Sequence, residues 1–150
     1  MVINTKLFGT IDVVDEKLIQ FIDGIIGFPE MKKFLLIHDS ENKKSNIAWL
    51  QSADEPEFAM PVIDPLVLME NYDPLVEDEM LKTLEPLEDG DALVLVTMTI
   101  PSDIKKMTAN LKAPIIINAG NNKACQLIID DERYEVKHPV YDLLKSKKED

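Results

Sequence analysis

Ala92-Leu-Val-Leu-Val-Thr-Met-Thr99 is the stretch of sequence that decides the fold class. Its first five residues are apolar, and neither Gly nor Pro interrupts it. A short, continuous apolar run of this kind predicts a central strand that is covered on both faces. The chain is therefore expected to contain a sheet that other segments bury.

Short apolar runs of similar composition lie on either side of this strand. Val, Ile and Phe are enriched in them, and Gly, Asp, Asn and Pro punctuate them at close spacing. Such runs predict further strands at Val2–Phe8, Ile11–Val14, Lys17–Ile22, Phe34–His38, Ile47–Ser52, Phe58–Ile63, Leu66–Tyr72, Ile115–Asn118, Lys123–Ile129 and Arg133–Lys137. Because Pro61 cannot donate a ladder hydrogen bond, its strand is expected to lie at an edge or to be broken by a bulge.

Helical spacing of apolar residues is confined to short segments. Glu77–Leu84 has acidic residues where a first helical turn would be, and a helix there must end before Pro86. Val140–Leu144 is expected to form one short helical turn. The apolar spacing in Asp103–Lys112 fits a helix, and a loop fits it equally well.

Many short strands with one or two short helices predict a mainly β fold. We expect curved antiparallel sheets that form an open, barrel-like single domain over residues 1–150, with a frayed tail at residues 145–150. The length of 150 residues is typical of one domain.

The charge balance narrows the class of partner. Lys and Arg number 16 against 28 Asp and Glu, so the formal net charge is −12 and the pI is near 4.5. Such a surface repels phosphate backbones and anionic lipid headgroups, which argues against direct binding of nucleic acid or membrane. A basic protein partner fits this charge, and acidity that serves solubility fits it as well.

The sequence supplies no recognisable catalytic or metal site. Cys125 is the single cysteine and lies in a predicted strand, where a small buried thiol is the ordinary interpretation. His38 and His138 are not at metal-ligand spacing with each other or with Cys125. We therefore expect no catalytic residue, no metal and no cofactor.

The same features predict a compartment. One cysteine forms no intrachain disulfide, and the N-terminal residues lack a basic segment followed by an apolar one. No run of about 18 apolar residues occurs. A cytoplasmic location is expected.

Two local features predict contact with a partner. One is a dense group of acids, which the tendency of acids to cluster at helix starts and turns also explains; the candidates are Glu77, Asp78, Glu79, Glu88 and Asp89. The other is Trp49, the only tryptophan, which either fills the core or anchors a partner.

Several segments, taken in order, resemble the FliW family of flagellar assembly factors. The segments are Phe21-Ile-Asp-Gly-Ile-Ile-Gly-Phe28, Trp49-Leu-Gln-Ser52 with Pro56 and Phe58-Ala59, Val62-Ile-Asp-Pro65 with Tyr72, and Thr108–Asn118 with Gln126 and Tyr134. Each match alone is weak, whereas their occurrence in this order over residues 21–134 is specific.

The resemblance implies a non-enzymatic, barrel-like β protein with two partners. One is the dimeric RNA-binding translational regulator CsrA, which FliW antagonises, and the other is flagellin, which competes for FliW. Of the motif residues, Trp49 and Tyr72 are carried over as partner-binding candidates. The others are expected to be structural: Phe28, Gln51, Asp64, Pro65, Asn110, Pro114 and Asn118.

A second function fits the same resemblance. The chain could act as a chaperone-like module that binds flagellin and has no effect on RNA regulation. Binding to flagellin is common to both functions, so relief of RNA binding by the regulator is what separates them.

Overall fold

The chain folds into β-strands that are joined by short turns. The computed structural model describes residues 2–38, 47–88 and 90–144. The strands are β1 (Val2–Thr5), β2 (Gly9–Asp12), β3 (Ile19–Phe21), β4 (Lys33–His38), β5 (Ile47–Ser52), β6 (Ala59–Ile63), β7 (Ala92–Thr99), β8 (Thr108–Ala109), β9 (Ile115–Asn118), β10 (Lys123–Gln126) and β11 (His138–Pro139). The helical elements are α1 (Pro65–Leu68), 3₁₀ turns at Asp15–Lys17, Asp78–Leu84 and Ile104–Lys106, and a helical turn at 141–144.

Seven strands close into a barrel. Their order is β7-β6-β5-β4-β3-β10-β9, and β9 pairs with β7 to complete the ring. All neighbours are antiparallel except β3 and β10, which are parallel. β8 and β11 extend the sheet beyond β7, and β1 and β2 form a separate hairpin. The mainly β, barrel-like class is confirmed, and the pairing of β7 with β9 makes the barrel closed rather than open.

The strand β7 is the centre of the fold, as its composition predicts. β6 pairs with it on one edge, while β8 and β9 follow one another along the other edge. Leu95 faces the barrel interior and Val96 faces a second core outside the barrel, so both faces are covered there. Coverage is incomplete at the start of the strand, because Ala92 is exposed and Leu93 keeps 37% of its surface.

The fold has two hydrophobic cores. The inner core fills the barrel and includes Phe21, Phe34 and Leu50. The outer core covers β6, β7 and β9 with α1, the 3₁₀ turn at Asp78–Leu84 and the segment that follows β10. This outer layer positions residues 64–88 against the barrel wall.

Pro61 lies inside the sheet, so neither the edge position nor the bulge expected there is found. β6 is placed between β5 and β7, and its register with β5 is unbroken. Because the Ser52 N–H donates to the Phe58 carbonyl, the alternation along β6 turns the backbone groups of Pro61 away from β5. On the other side, the pairing of β6 with β7 begins only at Val62, so no ladder bond lacks a donor.

Two of the predicted strands are wrong. Leu66–Tyr72 begins as α1 because Asp64 accepts a hydrogen bond from the Leu66 N–H and Pro65 occupies the first helical position. Arg133–Lys137 forms turns, and the chain pairs only later, in β11.

Both segments predicted to be helical are helical, but the first is a 3₁₀ helix and each has slightly different bounds. The segment predicted as Glu77–Leu84 is a 3₁₀ helix from Asp78 to Leu84, and the turn at 141–144 is present. Asp103–Lys112 contains a 3₁₀ turn and then β8. In the described part of the chain, no helix is long and apolar enough to span a membrane. The predicted tail at 145–150 lies outside the described residues.

Candidate functional site

The acidic segment, residues 77–88, lies on the outer layer of the fold. Its 3₁₀ helix is anchored by Leu84, which is completely buried in the outer core. The side chains of Glu77, Asp78, Glu79 and Glu88 are all exposed. Four of the five predicted acids thus belong to one exposed segment, and the fifth, Asp89, lies outside the described residues.

Asn118 fastens this segment to the barrel. Its Nδ2 donates to the Leu84 and Pro86 carbonyls, at 2.8 Å each, and its Oδ1 accepts from the Gly120 N–H. Asn121 donates a further bond to the Leu84 carbonyl. Asn118 is fully buried at the end of β9, so its hydrogen bonds hold the acidic segment against the barrel.

A cleft of about 370 Å³ adjoins the acidic segment. It lies between the start of β7 and the chain from Asp64 to Val76, and Glu77 follows Val76 directly. The lining is mainly apolar and consists of Asp64, Pro65, Leu66, Tyr72, Asp73, Pro74, Val76, Ala92, Leu93, Val94 and Ile116. Its volume lies at the lower end of the range for ligand clefts, about 300–1,000 Å³.

Tyr72 forms part of the cleft wall, but its hydroxyl is engaged. The hydroxyl donates to the Leu111 carbonyl at 2.8 Å, and burial, with a smaller effect of Tyr134, raises the pKa of Tyr72 to about 12. The Tyr134 ring packs 4.7 Å from the Tyr72 ring, and the Tyr134 hydroxyl accepts from the Asp73 N–H. The two tyrosines therefore fix the 72–76 wall of the cleft.

Trp49 lies on another surface. It is half-buried on the outer face of β5, opposite Ile37 and Pro61, and its ring is 6.1 Å from that of Phe8. Trp49 belongs to neither core and does not line the cleft. The structure therefore does not bring Trp49 together with the acidic segment.

Gln51 holds the loop between β5 and β6, which lies at the end of β6 away from α1 and the cleft. Its Nε2 donates to the Ser52, Pro56 and Phe58 carbonyls, while its Oε1 is buried without a partner in the described structure. Phe28 reaches the same end, where its exposed ring packs 5.0 Å from that of Phe58. Both residues thus lie away from the cleft.

The remaining motif residues make local contacts. Asp64 and Pro65 start α1, as described above. The Asn110 Oδ1 accepts from the Lys112 N–H, and the buried Pro114 accepts from the Leu127 N–H. The first contact shapes the turn before β9, and the second extends the pairing of β9 with β10 by one residue.

The ionisable groups outside these surfaces are structural in their contacts. Burial, with a smaller effect of Asp23, raises the pKa of the half-buried Cys125 thiol to about 11, which disfavours a reactive thiolate. Hydrogen bonds from Arg133 lower the pKa of Asp131. No cluster of three metal-ligating side chains occurs within residues 2–38, 47–88 and 90–144. What these residues offer is a charged, partly apolar surface for binding.

The cleft is the feature that sequence reasoning missed. Its walls come from a segment that was expected to be a strand, and its position depends on where β6 ends beside β7. Pro61 and Pro65 bracket the residues of β6 that pair with β7. This proline spacing is a signal that could have indicated that only a short part of β6 pairs with β7.

The chain is similar to known proteins over nearly its whole length. The sequence model of the FliW protein family matches residues 2–140. The flagellar assembly factor FliW of Lachnospira eligens is 48% identical over 97% of both chains, and that of Lachnoclostridium phytofermentans is 44% identical over all of this chain and 98% of the relative. A crystal structure of the flagellar assembly factor FliW superposes with a TM-score of 0.85 at 29% identity, covering 94% of this chain and 97% of the other. The ordered motifs, the barrel and these full-length similarities lead to one conclusion: the chain belongs to the FliW family of flagellar assembly factors.

Proposed function

We propose that this chain binds a basic, RNA-binding translational regulator of the CsrA type and thereby relieves repression of flagellin translation. Flagellin competes with the regulator for the chain, so that secretion of flagellin frees the chain to act. The observation that carries the proposal is the exposed acidic segment held on a buried support, in a chain of net charge −12.

The charge supplies the first part of the mechanism. A protein that binds RNA displays Lys and Arg to phosphates, so an acidic surface attracts it from a distance. Once bound, the carboxylates of Glu77, Asp78 and Glu79 repel RNA phosphates near the regulator. RNA then loses affinity even where its own site on the regulator stays uncovered.

The cleft supplies the second part. Exposed ion pairs contribute only about 0–1 kcal/mol each, so charge alone gives little specificity. A buried apolar contact at the centre of an interface commonly carries most of the affinity. The cleft, whose lining includes Val76 directly before Glu77, is an apolar surface that can take such a contact.

The proposal also assigns a place and a class to the protein. The chain acts in the cytoplasm, where the regulator meets its RNA, and it acts as a non-enzymatic binding protein without a cofactor. It contacts neither nucleic acid nor membrane directly, because its charge has the wrong sign for both.

Titration calorimetry tests the proposal. The chain is titrated with a purified CsrA-type regulator at two salt concentrations, alone and with flagellin present. We expect saturable binding that added salt weakens and that flagellin abolishes. A parallel gel shift with regulator and leader RNA is expected to show release of the RNA as the chain is added.

Two results would overturn this function. Absence of binding between the folded chain and the folded regulator would remove its basis. Binding to flagellin with no release of RNA would instead assign the chain to the chaperone-like class, in which it acts on flagellin alone.

A further inference from the structure

β7 is longer than the part of it that β6 covers. The two strands pair at Val62–Thr97 and Ile63–Val96, and the chain then leaves the sheet into α1. Among the described residues, none pairs with the β6-side edge of β7 between Ala92 and Leu95. Within residues 2–38, 47–88 and 90–144, this stretch of strand edge therefore has no partner strand.

The hydrogen bonds of β7 show which backbone groups lie on this edge. The Asp91 carbonyl accepts from the Ala119 N–H and the Thr97 carbonyl accepts from the Asn110 N–H, both on the side of β8 and β9. Backbone groups of successive residues in a strand point to opposite sides. The N–H and C=O of Ala92 and Val94 therefore point towards the side that β6 has left.

The cleft lies at this edge. Leu93 and Val94 both line it, although neighbouring side chains of a strand project from opposite faces of the sheet. Pro65, which the register places opposite Val94, lines the cleft as well, so the cleft lies between the edge of β7 and the chain that leaves β6. The open backbone groups of β7 and the cleft are thus one feature.

The described residues that follow β6 do not complete the ladder. In the register set by Ile63 and Val96, the residue opposite Val94 is Pro65, which has no N–H to donate. The Pro65 carbonyl instead accepts from the Met69 N–H within α1. A strand from another molecule could supply the missing donor and acceptor.

The surroundings of the cleft define what such a strand must carry. Leu66 and Leu93 are 51% and 37% exposed, and Leu75, at 77%, is the most exposed large apolar side chain of the described residues. The charged residues that line the cleft are Asp64 and Asp73. The complementary segment is extended, apolar at alternate positions and flanked by Lys or Arg.

We propose that the cleft binds an extended basic and apolar segment of the regulator, which adds a strand to β7 at Ala92 and Val94. Main-chain hydrogen bonds to an open sheet edge give affinity, and pockets for alternate side chains give specificity. The identity of the partner rests on the proposed function, whereas the open edge is a property of this chain.

Amide hydrogen exchange followed by NMR tests the edge. In the free chain, the Val94 amide is expected to exchange about tenfold faster than those of Leu93 and Leu95, which face β9. In the complex with the regulator, the Val94 amide is expected to become at least as protected as its neighbours. A formed complex in which the Val94 amide still exchanges freely would overturn the proposal.

Substitutions test it by affinity. Val94→Pro removes the N–H that faces the cleft and leaves the Leu93 and Leu95 bonds to β9, so binding of the regulator should weaken about fivefold. Because it also replaces a side chain that packs against the outer core, circular dichroism first checks that the variant folds. Leu66→Lys places a positive charge in the cleft without touching the ladder and should weaken binding about tenfold. Ile128→Lys, an exposed aliphatic residue outside the cleft, is the matched control and should bind as the unchanged chain does.

The outcomes separate this proposal from the function on which it rests. If the unchanged chain fails to bind the regulator, the proposed function fails and the assignment of this segment fails with it. If it binds, and Leu66→Lys binds equally well, only the cleft is excluded. Protection of Val94 in the free chain would show that the chain fills its own cleft, or that a second copy does if protection grows with concentration, and either result would overturn the proposal.

Discussion

Single buried polar side chains hold the outer layer of this protein to its barrel. Asn118 binds two carbonyls of the acidic segment, and Tyr72 binds the Leu111 carbonyl from the cleft wall. The family motifs mark both positions, and the expectation was a structural role for Asn118 and a partner-binding role for Tyr72. The hydrogen-bond partners of both residues lie more than 30 positions away along the chain. Local sequence patterns do not predict such partners.

Asn118→Ala should lower the free energy of unfolding by about 2–4 kcal/mol, because the Pro86 carbonyl and the Gly120 N–H lose their Asn118 partner and the Leu84 carbonyl keeps only Asn121. Asn121→Ala removes a bond to the Leu84 carbonyl and one from the Lys123 N–H, but Asn121 is exposed, so the change should cost only about 1 kcal/mol. Urea denaturation of both variants measures the difference. Equal losses would show that burial of Asn118 adds nothing.

Tyr72→Phe should change how stability depends on pH. The pKa of Tyr72 is raised in the folded state, so its contribution is complete below the unfolded value near 10 and is lost as pH rises towards about 12. At pH 7 the variant should be about 1–2 kcal/mol less stable, since the Leu111 carbonyl loses its donor.

The measurement is the difference in unfolding free energy between the two proteins from pH 8 to pH 12. This difference should shrink steadily as the pH rises above 10. A constant difference over the whole range would contradict the pKa assigned to Tyr72.

Elements differ in how far their own sequence determines them. β5 has its predicted bounds, because Ile47–Ser52 has strand composition and turn residues on both sides. α1 was missed because Asp64-Pro65 is a turn signal and a helix-start signal alike, and only the outer core decides between them. Two strands were predicted where β1 and β2 lie, with different bounds, but the packing of Phe8 against Trp49 of the barrel was not.

Phe8→Ala should loosen the hairpin of β1 and β2 without opening the barrel. The ring pair with Trp49 contributes about 0.5–1.5 kcal/mol beyond the area it buries. Hydrogen exchange by mass spectrometry should therefore show faster exchange in β1 and β2 and unchanged exchange in β4 to β7. Leu7→Ala, at the exposed neighbouring position, is the control, and equal acceleration by both variants would argue against a specific role of the ring pair.

At the scale of the whole molecule, the net charge was predictable from the sequence and the shape of the candidate site was not. The net charge of −12 follows from the composition, and so does the argument for a basic partner. The place where the acids meet an apolar cleft depends on strand order, and strand order depends on contacts between distant segments. The site was therefore predictable as a set of charges and unpredictable as a shape.

Reversal of Glu77, Asp78 and Glu79 to Lys should slow association with the regulator about tenfold at low salt and flatten its salt dependence. Reversal of Glu30, Glu55 and Glu57, which are exposed near the opposite end of β6, changes the net charge equally and is the matched control. Stopped-flow measurements at several salt concentrations give both quantities. If the two triple variants behave alike, total charge rather than the acidic segment steers the partner.

The parallel pairing of β3 with β10 affects how the chain folds while it is being translated. Gln20 pairs with Lys123, so the two halves of this joint are 103 residues apart in order of translation. The consecutive strands β3 to β6 can pair as soon as they leave the ribosome, whereas the ring stays incomplete until β10 emerges. For most of its time on the ribosome the nascent chain is thus an open, curved sheet whose interior Phe21 and Phe34 still await the strands that will cover them.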